Sequence, residues 1–360
     1  MDSIRIDKEN MKNYRPLFGR VVSDALGRLW FYDHRWMCIG NMASDLTEIE
    51  IVLQLKEEQI KQCGAAFDLI IKENILFIAF MKRPILLTYN IVNHTYKLYK
   101  NNIDKSLMIQ QYNSIFYKQS LIFIPMDISH PISILDLNNY QYMLHDREKY
   151  NGTIGNVYRF QNTQKLLMPV YNTNKVFVFE PETLNAWFME LNNDISVNFV
   201  YGTEEDLWIC QNNKKVIINI KDGKTEYITI ANDDIVQRDP FSGLIKYENK
   251  VIVLPRFDKS IYVIELETKV IKEIPISFNK EEFDKLGCSL IYGYHIYNSI
   301  LYLFPWGLEG IIELRLTDYQ MTKRDLQIKR NDYCEFIYQP PTREIEEDDL
   351  QNYIGWIVKH

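Results

Sequence analysis

The chain has 360 residues, a formal net charge of −7 and 46% hydrophobic residues. That is enough apolar material for a large core, and 14 glycines and 12 prolines are too few for a linker-rich or disordered chain. No basic run exceeds two residues, so duplex nucleic acid is not expected as a partner. The longest apolar runs are far short of a membrane span.

Residues 1–14, MDSIRIDKENMKNY, are charged and lack an apolar centre, so no secretion signal is expected there. From residue 15 a four-part pattern begins and returns through residue 329. Its most regular part is a short apolar run: RLWFYD (28–33), ILFIAF (75–80), LIFIP (121–125), LLMPV (166–170), LWICQ (207–211), VIVLP (251–255) and ILYLFP (300–305). Anchored at Tyr32, Ala79, Pro125, Pro169, Cys210, Pro255 and Pro305, the runs are spaced by 47, 46, 44, 41, 45 and 50 residues. A period of this size marks stacked supersecondary units, because one unit cannot bury its own apolar face.

A second run follows each of the last six anchors, with a polar residue at one place: Asn90, Asp136, Glu180, Asn219, Glu265 and Arg315. A polar turn and a third run such as AWFME (186–190) close the unit, and a fourth run such as NSIFY (113–117) precedes each anchor. Each unit therefore reads as four short strands, A to D, rich in Ile, Val, Tyr and Phe. Proline cannot donate to a central ladder, so Pro125, Pro169, Pro255 and Pro305 are expected to mark where strand B stops. The expected fold is all-β: a seven-bladed β-propeller of four-stranded blades. Six blades are the alternative, because TEIEIVLQLKEEQIKQC (47–63) in the first unit reads equally as a strand with a loop or as a helix.

The order of runs resembles the kelch-type propeller repeat: a B run, a C run with an acidic residue near its end, a turn like EPET, and an aromatic in D at Tyr96, Tyr142, Trp187 and Tyr227. The kelch glycine pair after strand B is missing in all seven units, and there is no Trp-Asp dipeptide of the WD type. The resemblance implies the propeller superfold and little about activity. GTEEDLWICQ (202–211) and, less closely, DALGRLWFYD (24–33) also resemble the turn-Leu-Trp segment of lyase-type propellers, a structural turn leading into a strand with a buried Trp. The S-x-D-x-G-x-T-W boxes of propeller sialidases are absent.

Strand direction alternates along a blade, so B–C loops and D–A links share one face. These are the longer connections, and long loops on a rigid scaffold are where binding residues concentrate. The candidate ligand-binding residues are Arg35, Trp36, Arg83, Asp127, His130, Tyr171, Asn174, Arg256, Trp306 and Glu309. Aromatic platforms and forked guanidinium groups suit a peptide, a protein surface or a glycan. Trp36 and Trp306 have an equally good alternative as packing between blades. No metal site is expected: Asp127 and His130 have D-x-x-H spacing but no second donor pair nearby. No cofactor motif is found.

The five cysteines are widely spaced and contain no CxxC, the pattern of reduced thiols in a cytoplasmic protein. Residues 330–360 leave the repeat. DYCEFIY (332–338) reads as a strand, and SIRI (3–6) and CEFIY (334–338) are the candidates for an added outer strand. PPTREIEEDDLQNYIGWIVKH (340–360) reads as a short helix, acidic at its start, with Leu350, Ile354 and Ile357 on one side. It is expected to pack on its own propeller; docking a partner is the alternative. The reading favours a monomeric, non-catalytic binding or scaffold propeller. The alternative is a carbohydrate-active hydrolase or lyase using Asp127, His130, Arg256 and Glu309 near the axis.

Overall fold

The computed structural model describes residues 18–33, 38–42, 46, 48–55, 66–80, 85–100, 111–125, 127–145, 152–155, 165–230, 240–256, 260–276, 291–305, 311–324 and 327–329. Every regular element among them is a strand, and the strands form seven sheets. The chain is a seven-bladed β-propeller.

Blade 1 is β1 (Phe18–Ser23), β2 (Leu29–Asp33), β3 (Cys38–Met42) and β4 (Glu48–Gln54). Blade 2 is β5 (Ala66–Lys72), β6 (Ile75–Phe80), β7 (Ile85–Asn90) and β8 (Thr95–Lys100). Blade 3 is β9 (Gln111–Tyr117), β10 (Ser120–Pro125), β11 (Ile132–Asp136) and β12 (Gln141–His145). Blade 4 shows β13 (Leu166–Val170), β14 (Lys175–Glu180) and β15 (Asn185–Glu190); its expected first strand, 156–160, lies outside the described residues. Blade 5 is β16 (Val197–Gly202), β17 (Asp206–Gln211), β18 (Val216–Lys221) and β19 (Lys224–Thr229). Blade 6 is β20 (Phe241–Tyr247), β21 (Lys250–Pro255), β22 (Ser260–Glu265) and β23 (Ile271–Pro275). Blade 7 is β24 (Ile291–Tyr297), β25 (Ile300–Pro305), β26 (Ile311–Arg315) and β27 (Met321–Arg324). The last strand, β28 (Gln327–Lys329), joins blade 1 as a fifth, outermost strand, parallel to β4.

The ambiguous segment 47–63 opens with strand β4, its residues 56–63 lying outside the described ones, and the six-blade alternative falls away. The outer strand added to blade 1 comes from 327–329; the two segments expected for that role, 3–6 and 334–338, lie outside the described residues, as does the expected helix over 340–360.

The chain divides into two compact units: Met1–Ile109 with Lys280–Gly287 and Ile291–His360, and Gln110–Asn279 with Cys288–Leu290. In the first, alternate residues of one strand enter two different cores. Trp30 and Tyr32 of β2 pack with Leu76, Ile78, Leu87 and Tyr89 of blade 2. Their neighbours Leu29 and Phe31 pack with Tyr302, Phe304 and Ile311 of blade 7. This is why LWFYD is buried at every residue and shows no polar alternation. The second unit repeats the device between blades 3 and 4, 4 and 5, and 5 and 6. Each fully buried Leu, Ile or Phe in such a layer contributes about 1.5–3 kcal/mol.

At the A–B/C–D end of the second unit, lysines link neighbouring blades to carboxylates: Lys118 Nζ to Glu182 Oε1 (2.6 Å), Lys165 Nζ to Glu204 Oε2 (2.6 Å), Lys246 Nζ to Asp206 Oδ2 (2.9 Å) and Lys269 Nζ to Glu226 Oε2 (2.8 Å). Exposed pairs of this kind contribute only about 0–1 kcal/mol each, so they align blades more than they hold them.

The polar residues of strand C have two jobs. Asn90, Asp136, Glu180, Glu265 and Arg315 are the last residues of their strands and build the C–D turn. In four of them the carbonyl accepts from the fourth residue on: His94, Tyr140, Lys269 and Tyr319. Those residues, and Leu184 at the same place in blade 4, have left-handed φ of 57–63°. Asn219 is different from the alignment read off the sequence: it lies mid-strand, opposite Trp208. Its amide donates to Asp206 Oδ1 (2.9 Å), which also accepts from Trp208 Nε1 (3.0 Å).

Asp24 plays a similar part in blade 1. Its Oδ1 accepts from the backbone of Leu26 and Arg28, and its Oδ2 from Arg28 Nε (2.8 Å) and Trp30 Nε1 (3.0 Å). Both turn-Leu-Trp segments are therefore structural, with the indoles of Trp30 and Trp208 buried and tied to a carboxylate.

Two predictions follow from these turns. A β-carbon in the left-handed region costs about 1 kcal/mol, so Leu184→Gly, despite its looser unfolded chain, is expected to leave stability unchanged or raise it by up to about 1 kcal/mol in urea unfolding. Burial alone would raise the Asp24 carboxyl, but the bonds from Trp30 and Arg28 outweigh it and hold the group below its ordinary 3.8. A depressed carboxylate stabilises the fold above its unfolded value and loses that stabilisation as pH falls. Asp24→Asn should therefore cost about 2 kcal/mol at pH 7, and the gap to wild type should close as thermal melts are taken below pH 3.8.

Candidate functional site

Of the ten candidate ligand residues, Asp127, His130, Tyr171, Asn174 and Arg256 are described, all in the second unit. Arg35, Trp36, Arg83, Trp306 and Glu309 lie outside the described residues. In blades 5 and 6 the four strands A to D are antiparallel to their neighbours, so B–C loops and D–A links share an end of the blade.

In the second unit this end is stitched from blade to blade by the backbone. Asp127 forms an isolated bridge with Thr153, and Ile128 N donates to Gly152 O (3.1 Å). Ile154 bridges Val170, and Tyr171 N donates to Thr153 O (3.0 Å). Val197 N donates to Thr173 O (2.8 Å), and Asn212 N to Ser196 O (2.8 Å). Asn198 Nδ2 reaches Phe241 O (3.1 Å), and Arg256 N reaches Pro240 O (2.7 Å). Backbone bonds thus join the described loops of blades 3, 4 and 5, and the Asn198 side chain carries the link to blade 6.

Asp127 and His130 sit at the tip of the blade 3 loop. Asp127 Oδ1 accepts from Ser129 N (2.9 Å), and Oδ2 lies 3.5 Å from His130 Nδ1. The Asp127 side chain is 46% exposed and that of His130 28%. Tyr171 is half-buried, and its ring lies against Gly155: a β-carbon built there would stand 2.8 Å from both Cζ and Oη, and 2.7 Å from Pro169 Cγ. Glycine at 155 is therefore a spatial requirement of the Tyr171 position.

Two other candidates serve the scaffold. The Asn174 amide donates to Leu191 O (2.7 Å) and to Asn193 Oδ1 (3.2 Å), fastening the link between blades 4 and 5. Arg256 is buried, at 9% exposure. The sequence puts both after strand B of their blades, and only packing shows which way such a side chain turns. Residues it passed over also shape this end: the Asn212 amide donates to Asn172 Oδ1, Gln211 Nε2 donates to Asp194 O (2.9 Å), and Tyr227 Oη donates to Asp194 Oδ2 (2.6 Å). Runs of Asn at 172–174, 192–193 and 212–213 were the available signal. Among the described residues, no group of three or more His, Cys, Asp and Glu is placed to hold a metal ion, and no helix is long and apolar enough to cross a membrane.

No family model matches this chain, and no curated protein matches it. Solved structures do. The virginiamycin B lyase of Staphylococcus aureus superposes with a TM-score of 0.60 at 11% identity, covering 82% of this chain and 93% of the lyase. A catalytically inactive form of that lyase with quinupristin gives 0.61 at 10% identity over 82% and 93%. YCF48 from Cyanidioschyzon merolae gives 0.60 at 9% identity over 84% and 96%. YCF48 bound to a peptide gives 0.63 at 11% identity over 85% and 95%. At these identities the likeness is one of fold.

Gly155→Ala is expected to push Tyr171 off its seat: a shift of the Tyr171 ring resonances by NMR, with a stability loss of about 1–3 kcal/mol as for overpacking elsewhere.

Proposed function

We propose that this chain recognises a ligand through the B–C/D–A end of its blades, with Asp127, His130 and Tyr171 as contacts and a peptide, a protein segment or a glycan as the ligand class. The observation that carries the reading is the stitched surface of the second unit. Loops of blades 3, 4 and 5 are joined by backbone bonds, and the Asn198 side chain reaches Phe241 O of blade 6, while an acid, an imidazole and a phenol remain partly exposed on this end. A preorganised surface binds without paying to order its loops. The YCF48 structure with a bound peptide supports a propeller of this size acting as a binding module. Arg35, Trp36, Arg83, Trp306 and Glu309 are proposed as contacts on the same end of their own blades, on sequence grounds alone. A cytoplasmic setting belongs to the same proposal, supported by the buried thiols of Cys38 and Cys210.

A second reading, hydrolase or lyase chemistry, is favoured by the Asp127–His130 pair. A carboxylate 3.5 Å from an imidazole can orient the ring toward a substrate proton, the geometry a general base needs. The lyase structures weigh more for this reading than for a purely structural scaffold.

Glycan and peptide arrays probed with wild type, Tyr171→Ala and His130→Ala should decide. Binding that drops at least tenfold in both variants, with melting temperatures unchanged, supports recognition at this end. A hit indifferent to both substitutions would move the site elsewhere. Turnover of the bound ligand by wild type, abolished in His130→Gln while binding persists, would select the catalytic reading.

A further inference from the structure

Strands A to D of blade 1 come from residues 18–54, and those of blade 7 from residues 291–324. From blade 1 to blade 2 the chain itself runs on, from β4 to β5. Blades 7 and 1 have no such link, because they stand at opposite ends of the repeat. They meet through a shared core in which Leu29, Phe31, Ile49 and Ile51 of blade 1 pack with Tyr302 and Phe304 of blade 7. Bringing the two ends of the repeat together costs loop-closure entropy, a cost that a junction between consecutive blades does not carry to the same degree.

β28 spans that seam. β27 ends at Arg324 and β28 begins at Gln327, so residues 325–326 alone carry the chain from the outer strand of blade 7 to the outer edge of blade 1. The pairing is parallel, with Gln327 opposite Glu48, Ile328 opposite Ile49 and Lys329 opposite Glu50, whereas strands A to D of both blades pair antiparallel. A hairpin gives an antiparallel pair; a parallel one needs a strand that arrives by crossing from elsewhere, here from the neighbouring blade. The strand it grips is unlike other outer strands. Ile49 of β4 is 0% exposed and Ile51 is 5% exposed, and both belong to the seam core, whereas β12, β15 and β27 contain no buried residue. β4 thus holds β28 by its backbone and blade 7 by its side chains.

We propose that β28 is a strap that closes the ring, and that the seam between blades 7 and 1 opens as a unit when the strap lets go. The chain leaving β27 is fastened to the blade on the far side of the seam, so blade 7 cannot draw away from blade 1 while the ladder between β28 and β4 stands. With that ladder broken, the side-chain core alone is left to hold the two blades together. Opening of one such cooperative unit takes less free energy than unfolding the whole chain. No loop-end residue takes part, and the inference is independent of the ligand reading.

The test is native-state hydrogen exchange of the full chain, read by mass spectrometry on peptides from each blade. The first variant is the double change Ile328→Pro with Lys329→Pro. Successive N–H groups of a strand point to opposite sides, so one of the two prolines removes a donor that faces β4 whichever way the ladder is phased. Exchange in β25 and β26 of blade 7 should then speed up about tenfold or more, together with β4, while β17 and β18 of blade 5 exchange as in wild type. The second variant pins the strap: Gln327→Cys with Glu48→Cys, oxidised to a disulfide across paired strands about 4.8 Å apart. It should slow exchange in β25 and β26 below wild type, and reduction should restore the wild-type rate. Acceleration confined to β4 would mean that β28 merely covers an edge, and overturns the proposal. So does an equal acceleration in every blade, or a disulfide that leaves β25 and β26 exchanging at the same rate oxidised and reduced.

Discussion

Burial on both faces of every sheet is the constraint on which the molecule depends. A four-stranded blade has two apolar faces and cannot hide either by itself. In the first unit Trp30 and Tyr32 go to one neighbour and Leu29 and Phe31 to the other, from a single five-residue strand. In the second, Trp208 and Cys210 of β17 pack with blade 6, while Leu207 and Ile209 pack with blade 4. A blade is thus stable only between neighbours, which is the physical content of the repeat.

The two ends of the blades are finished differently. At the A–B/C–D end, tight turns use left-handed residues and carboxylate-to-backbone bonds, and lysines reach across to the next blade. At the other end the links are longer and are fixed by backbone and amide bonds from loop to loop. Small side-chain changes there can alter what is recognised while the loops stay where the stitching holds them. The Asp127 and His130 side chains are partly exposed there, whereas the Asn174 amide is bonded to the blade 4–5 link and Arg256 is buried.

The fold was legible in the sequence because its cause is periodic. Seven apolar runs spaced 41–50 residues apart, each followed by turn residues, dictate blades whatever the details. The role of DLW at 206–208 was also legible, since a turn before a buried Trp is a local matter. Register was not: the sequence aligns Asn219 with Asn90 and Asp136, which end their strands, and only strand pairing puts it mid-strand opposite Trp208. Nor was the origin of the fifth strand of blade 1, because three residues, 327–329, carry no pattern until β4 offers them an edge. The loops containing the candidate site could be found from length and composition. Which of their side chains face a ligand and which fasten the scaffold was decided by contacts between residues distant in sequence, such as Asn198 with Phe241, and no local pattern encodes those.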